Sequence, residues 1–244
     1  SEYRAEISSR NLVDYLAEAP DAKLAEAQLV MLAVPVTAFA EVLSNIRPHL
    51  SASVILTDTG SVKSPLLQMM QAPEYVGIGF VGGHPIAGSE NFGPRAAREN
   101  LFAGNRCILT PETDTDRDVV RTVCEMWESM GSMVSEMDAE DHDKMFASVS
   151  HLPHLLAYAS IQAIADSSSP EALSHSGAGL KDFSRIASSS PEMWADIFLE
   201  NQENLLSRMN TFKDVVVKLE DAIKRNDKEK LIELLAQAKT ERDH

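Results

Sequence analysis

Two short stretches of the chain carry side chains that could perform acid–base chemistry. The stretch GFVGGHPIAGSE (79–90) places His84 directly after two glycines, where a ligand can approach the backbone closely. Histidine exchanges a proton near neutral pH, so His84 is a candidate general base. The stretch TDTGSVK (57–63) places Asp58 and Ser61 directly after an apolar run. Each stretch also has a simpler interpretation. His84 could only be hydrogen-bonded within a turn, and TDTGSVK could be a turn that only caps the next helix.

Both stretches lie at the carboxyl end of a predicted strand, and this places them at the same edge of a sheet. Ligands of open α/β sheets bind at the carboxyl ends of the strands. We therefore expect Asp58 and Ser61 to lie near His84, where the serine hydroxyl could fix the tautomer of the histidine.

A third candidate is SHLPH (150–154), in which His151 and His154 lie one helical turn apart. A zinc site needs at least one further protein ligand, and His142 and Asp143 lie about two turns away with no cysteine near them. We expect no metal here. The favoured interpretation is that one of the two histidines packs and the other binds substrate.

The fourth candidate is the segment 177–194, which places Lys181, Asp182 and Arg185 on one short predicted helix. They form either a solvated charged face or a site where the arginine grips a carboxylate through two hydrogen bonds. The chain carries a net charge of −15, which disfavours nucleic acid and anionic membranes as partners. An anionic substrate would have to be captured by a few specific cationic side chains.

Strands and helices alternate in the first part of the chain, as in a parallel α/β sheet. The predicted strands are 29–36, 54–58, 76–86, 107–111 and 133–137, and the predicted helices between them are 37–45, 64–70 and 116–130. No convincing strand follows Asp138. The sequence therefore predicts a Rossmann-like domain over 1–138 and an all-helical domain over 139–244.

The helical part contains two long patterns. The first runs through Pro153, which should kink it. The second begins at Pro191 and keeps an apolar stripe for over thirty residues, which favours packing against a second copy of the chain. No apolar run is long enough to span a bilayer. The two cysteines, Cys107 and Cys124, indicate reduced thiols in a cytoplasmic protein.

Five motifs in order resemble the prephenate dehydrogenase family, whose members are also called arogenate or cyclohexadienyl dehydrogenases. The motifs are LAVPV, TDTGSVK, GGHPIAGSE, DHDKMFASVSHLPHLLA and GLKDFSRIASSSPEMWADIFLEN. The resemblance implies oxidation of a cyclohexadiene carbinol by NAD or NADP with loss of the ring carboxylate as carbon dioxide. It also implies a homodimer formed through the helical domain.

The resemblance assigns roles to individual residues. It makes His84 the catalytic base and Ser61 a residue that orients it and touches the cofactor. The implied substrate-binding residues are His154, Arg185, His151, Lys181 and Trp194, of which Trp194 would belong to the pocket of the partner subunit. The expected cofactor contacts are Ala33, Val34, Pro35, Asp58 and Ser61.

The sequence departs from the family pattern before Leu29, where no GxGxxG loop occurs. We expect that the N-terminal βαβ unit carrying this loop is missing from the sequence. Two alternatives remain open. One is another β-hydroxyacid-type dehydrogenase, for which Lys144 would be the catalytic lysine, and the other is an inactive remnant that only binds ligands.

Overall fold

The structure is a computed structural model that describes residues 3–88, 93–167, 169 and 171–243. Its centre is one sheet of five strands in the order β1-β2-β3-β4-β5. All five predicted strands are confirmed. They are β1 (Leu29–Leu32), β2 (Ile55–Asp58), β3 (Gly79–Pro85), β4 (Arg106–Thr110) and β5 (Met133–Glu136).

The described residues also form ten α-helices and several single turns of other helix types. The α-helices are α1 (Arg4–Ser9), α2 (Phe39–Ile46), α3 (Ser64–Met70), α4 (Arg117–Ser129), α5 (Ala139–Phe146), α6 (Leu152–Ser167), α7 (Ala178–Ser184), α8 (Pro191–Glu200), α9 (Gln202–Lys224) and α10 (Lys228–Asp243). The 3₁₀ turns are Ala22–Glu26, Val36–Ala38, Arg47–His49, Pro73–Tyr75, Pro94–Ala96, Ala172–His175 and Arg185–Ser188, and Ala147–His151 is a π-helical turn.

The sheet is not entirely parallel, and the prediction was wrong on this point. β3 and β4 pair antiparallel, with His84 opposite Ile108, while the other three pairs of strands are parallel. Between β3 and β4 the described residues contain only the 3₁₀ turn Pro94–Ala96 and no α-helix. Parallel neighbours are normally joined by a crossover helix, so a chain without one returns in the opposite direction.

Both faces of the sheet are covered, which explains the apolar residues of β1, β2 and β4. On one face Leu56 packs with Phe39 of α2 and Leu66 of α3. On the other face Leu109 packs with Trp127 of α4. The carboxyl ends of β1, β2 and β3 remain uncovered by these helices.

The first long helical pattern is interrupted where the sequence predicted a kink. Pro153 is the second residue of α6, and the chain just before it forms the π-helical turn. Such turns absorb a local mismatch in the helical hydrogen-bond ladder.

The second pattern, predicted as a single helix from Pro191, is divided at Asn201 into α8 and α9. The Asn201 side chain is buried and donates a hydrogen bond to the carbonyl oxygen of Asp143. A polar contact with α5 therefore fixes the place of the break. Of the described helices, none combines the length and apolarity that a membrane span requires.

Candidate active site

A cleft of about 940 Å³ lies at the carboxyl ends of β1, β2 and β3. Ala33, Ser61 and His84 line it from the sheet. The helical part contributes His154, Arg185 and Trp194. The structure thus brings together, around one cavity, residues that are more than 150 positions apart in the chain. The loop between β3 and β4 completes the lining with Arg98, Asn100 and Asn105.

Other predicted site residues lie away from this cleft. Lys181 is exposed on α7 and is not among the lining residues. Val34 is partly buried against the core beside α2, and Pro35 begins the turn that leads into α2. Lys144, which the alternative dehydrogenase would require as its catalytic lysine, is an exposed residue of α5 whose Nζ lies 3.3 Å from Glu140 Oε2. None of these four residues lines the cleft.

His84 sits at the end of β3 with only 8% of its surface exposed. Its ring lies 4.6 Å from that of Phe146, centroid to centroid. Burial lowers the pKa of His84 well below its usual value near 6.5, and the charge on Lys63 acts in the same direction. His84 is therefore neutral at neutral pH, the protonation state that a general base needs.

His84 is the first member of a buried chain of hydrogen bonds that reaches α5. His84 Nδ1 lies 2.8 Å from His142 Nε2, and His142 Nδ1 lies 2.8 Å from Asp143 Oδ1. Asp143 accepts hydrogen bonds from the backbone N–H groups of Lys63 and Ser64, both at 2.9 Å. These two N–H groups belong to the start of α3, so Asp143 also joins α5 to α3.

The observed partner of His84 Nδ1 is thus His142, whereas the sequence suggested that Ser61 orients the ring. Ser61 lines the same cleft as His84. Its assignment as an orienting residue and a cofactor contact stays a prediction.

A fully buried ion pair lies beneath the cleft. Lys63 Nζ donates hydrogen bonds to Asp58 Oδ2 and, at 2.7 Å, to the carbonyl oxygen of Gly83. The Gly83 N–H donates to Asp58 Oδ1 at 2.9 Å, and the Gly60 N–H donates to Asp58 Oδ2 at 2.7 Å. The pair therefore fixes both polar backbone atoms of the residue before His84 and one N–H group next to Ser61.

Asp58 was expected to contact the cofactor, but the structure places it in this buried ion pair. Its side chain is 0% exposed, and both oxygens accept hydrogen bonds from within the protein. Asp58 is not among the residues that line the cleft. The structure also explains the glycine at 83, because a Cβ there would lie 2.7 Å from the Asp58 carbonyl oxygen.

The helical wall of the cleft presents an aromatic surface next to a cation. The rings of His154 and Trp194 stack with centroids 3.6 Å apart and an interplanar angle of 20°. His154 Nδ1 lies 2.9 Å from the carbonyl oxygen of Ser150, so Nδ1 donates and Nε2 remains an acceptor. Burial lowers the pKa of His154, and the charge of Arg185 adds to the shift. Trp194 lines the cleft of its own chain, whereas the sequence resemblance placed it in the pocket of a partner.

His151 is the packing member of the histidine pair. It is 0% exposed, does not line the cleft, and its Nδ1 lies 3.1 Å from Asn201 Nδ2. Burial lowers its pKa to about 4, so the ring is neutral under ordinary conditions. This division of roles matches the interpretation of SHLPH as one packing and one cleft-lining histidine. A direct substrate contact of His151 stays a prediction.

Sequence reasoning missed the residues that support the site from beneath. His142 and Asp143 were considered only as metal ligands, Lys63 only as part of a motif, and Asn201 not at all. A signal was present in the DHD of residues 141–143, where a histidine and an acid begin an otherwise apolar helical pattern. In the part of the chain that the structure describes, no group of three His, Cys, Asp or Glu side chains is arranged to hold a metal ion.

The chain is similar in sequence and in fold to proteins of known family. Residues 2–136 match the nucleotide-binding domain of prephenate dehydrogenase, and residues 138–237 match the dimerization domain of the same family. The chain is 36% identical over 228 residues to the cyclohexadienyl dehydrogenase of Zymomonas mobilis, an alignment that covers 91% of the chain and 77% of that enzyme.

Two solved structures extend the comparison. Prephenate dehydrogenase from Aquifex aeolicus, in complex with hydroxyphenyl propionate and NAD+, is 36% identical and superposes with a TM-score of 0.89, over 99% of this chain and 85% of that one. The arogenate dehydrogenase of Synechocystis is 30% identical and superposes with a TM-score of 0.79, over 100% of this chain and 87% of that one. These matches confirm the resemblance drawn from the five motifs and the predicted order of a Rossmann-like sheet followed by helices.

Proposed function

The chain belongs to the prephenate dehydrogenase family, and on this premise we propose that it is an oxidoreductase of tyrosine biosynthesis. It would convert prephenate to 4-hydroxyphenylpyruvate, or arogenate to tyrosine, by oxidative decarboxylation with hydride transfer to NAD or NADP. The observation that carries this proposal is a buried, neutral His84 in one cleft with His154, Trp194 and Arg185.

In the proposed mechanism His84 accepts the proton of the substrate hydroxyl as the hydride leaves the same carbon. A neutral imidazole can take that proton at neutral pH, and its burial excludes water that would compete. Arg185 binds a substrate carboxylate through its planar guanidinium group. The stacked rings of His154 and Trp194 offer an apolar surface to the cyclohexadiene ring.

The cleft also fits a nicotinamide cofactor. It extends to Ala33 at the end of β1, where a methyl side chain leaves the strand end open, and to Thr59 and Ser61 after β2. Carboxyl ends of parallel strands are where dinucleotides bind in such sheets. Ala33 and Ser61 would contact the cofactor, with Val34 and Pro35 shaping the turn beside it. The nicotinamide, when bound, supplies the acceptor for the hydride.

We further propose that the protein acts as a cytoplasmic homodimer divided into a sheet domain (1–138) and a helical domain (139–244). The α9 surface exposes several large apolar side chains, which are Leu206, Phe212, Val215, Val216, Val217 and Ile223. Such a surface is typical of an interface between subunits. Both cysteines are free thiols, as suits a reducing compartment.

The proposal is tested on the native, full-length gene product by assaying reduced nicotinamide and carbon dioxide with prephenate and arogenate, each with NAD and with NADP. The wild-type protein should form both products in equal amounts, and His84→Asn should lose most of kcat. His49→Asn is the matched control, because His49 precedes β2 and so lies at the opposite edge of the sheet. Wild-type turnover by the His84 variant would remove His84 as the base, and no turnover by any pair of substrates would refute the activity.

A further inference from the structure

We propose that His142 and Asp143 are positioning residues that hold His84 in the tautomer protonated at Nδ1. This arrangement leaves His84 Nε2 as the unprotonated nitrogen available to the substrate. The inference rests on the proposed role of His84 as a base and adds the residues that fix its tautomer.

The chain of hydrogen bonds has a fixed direction, and the Asp143 end determines it. Both Asp143 oxygens accept backbone N–H groups at 2.9 Å, one from Lys63 and one from Ser64. A backbone N–H can only donate, so both oxygens must be acceptors. Burial raises the pKa of Asp143, but the hydrogen bonds from His142 and Ser64 outweigh it and bring the pKa below its usual value. Asp143 is therefore an ionised acceptor.

The protons of the two histidines follow from this direction. His142 Nδ1, at 2.8 Å from Asp143 Oδ1, must carry a hydrogen and donate it. A neutral imidazole has only one N–H, so His142 Nε2 is an acceptor. His84 Nδ1, at 2.8 Å from that nitrogen, must then donate, which leaves the hydrogen-free position at His84 Nε2.

The rings are also held against rotation. His142 stacks on Phe146 with ring centroids 4.5 Å apart and an interplanar angle of 24°. His84 packs against the same phenylalanine at 4.6 Å. His84, His142 and Asp143 are all buried, so water does not compete for their hydrogen bonds.

The arrangement serves the proposed reaction in two ways. Without a fixed partner, an imidazole can place its hydrogen on Nε2, where it blocks proton acceptance. When Nε2 of His84 takes the hydroxyl proton, Nδ1 keeps its own hydrogen and the ring becomes a cation. The charge of Lys63 opposes this cation, as would any charge on His142 or His151, whereas the Asp143 carboxylate favours it through the hydrogen bond of His142.

The tautomer can be observed directly, without any turnover. Protein labelled with ¹⁵N in the histidine rings gives two-bond proton–nitrogen correlations that distinguish the two neutral tautomers. Comparison with His84→Asn assigns the His84 signals, and the wild type should show His84 and His142 protonated on Nδ1. A wild-type His84 protonated on Nε2 would overturn the proposal.

Two substitutions at one position separate positioning from structural support. His142→Phe keeps an aromatic ring against Phe146 but removes the acceptor, whereas His142→Gln keeps an acceptor oxygen within reach of His84 Nδ1. We expect His142→Phe to lower kcat by roughly 10²–10⁴-fold, the size of a general-base contribution, with little change in KM. The glutamine variant should recover much of this loss.

The outcomes also distinguish this inference from the proposed function. A wild type with the expected tautomer but no turnover of prephenate or arogenate would refute the function and leave the positioning role intact. A His142→Phe variant with wild-type kcat, or with His84 still protonated on Nδ1, would refute the positioning role. Equal losses in the phenylalanine and glutamine variants would also contradict it, because they would indicate a purely structural role.

Discussion

Replacement of Lys63 by methionine should destabilise the protein strongly, although the new side chain is similar in length and apolar. Lys63 and Asp58 are both 0% exposed, and the substitution leaves the Asp58 carboxylate buried without its cation. Breaking a buried pair in this way costs about 3–5 kcal/mol. Two backbone donors, the N–H groups of Gly60 and Gly83, still contact the carboxylate, so we expect a cost near the lower limit, about 3 kcal/mol.

The melting temperature provides the assay. For a chain of this size 1 kcal/mol corresponds to roughly 2–4 °C, so Lys63→Met should melt about 6–12 °C below the wild type in calorimetry. The double variant Asp58→Asn/Lys63→Met removes the unpaired charge and should recover much of the loss. Lys144→Met is the matched control, because its partner Glu140 is exposed and exposed ion pairs contribute little.

The reasoning fails if the single variant melts within about 2 °C of the wild type, which would correspond to less than about 1 kcal/mol. It also fails if the double variant is no more stable than Lys63→Met. In the first case the carboxylate would have found another partner, and in the second the loss would come from packing or from the lost hydrogen bond to Gly83.

Three further measurements test other parts of the structure. Arg185→Ala should mainly raise KM for the substrate if the guanidinium group binds a carboxylate as proposed, and steady-state kinetics showing only a fall in kcat would contradict this role. Burial lowers the pKa values of His84, His142 and His151, so the unfolded chain binds more protons than the folded chain below about pH 6.5. The free energy of unfolding should therefore decrease as the pH is lowered, by roughly 3 kcal/mol between pH 6.5 and pH 4 from His151 alone. A constant free energy of unfolding in urea across this range would refute this expectation. Val217→Asp places a charge on the exposed apolar surface of α9 and should weaken the proposed dimer, which sedimentation velocity would show as a slower species. Unchanged sedimentation would exclude this surface from the interface.

Local sequence patterns were sufficient to predict the strands and the edge of the sheet that carries the site. The apolar residues of β1, β2 and β4 reflect a sheet covered on both faces, whereas β5 is largely exposed. Ser61 follows β2 and His84 lies at the end of β3, and the rule that ligands bind at carboxyl ends of strands placed them together. The reversal of β4 could have been predicted too, since the sequence showed no helical pattern between β3 and β4.

The support beneath the site could not be predicted in this way, because its contacts join distant parts of the chain. His84 and His142 are 58 positions apart, and Lys63 and Asp143 are 80 positions apart. Neither separation belongs to a helical or strand period. The break at Asn201 also depends on a contact between distant parts of the chain, because the Asn201 side chain donates a hydrogen bond to α5. The apolar stripe of its own helix does not predict this contact. Local propensity describes elements, whereas tertiary contacts decide which polar residues become buried partners.

The division of the His84–His142–Asp143 chain between two parts of the sequence limits how this enzyme can be recombined. The ring that would take the proton comes from β3, and the groups that orient it come from α5. A chimera that joins the sheet of one relative to the helices of another keeps an oriented base only if its sheet supplies the histidine and its helices supply the residues that hydrogen-bond to it. Fragments that end near Asp138 separate the two groups, so neither fragment alone contains an oriented base. An exchange of whole domains between relatives therefore has to keep His84 in the sheet together with His142 and Asp143 in the helices, a condition that neither domain shows when it is considered alone.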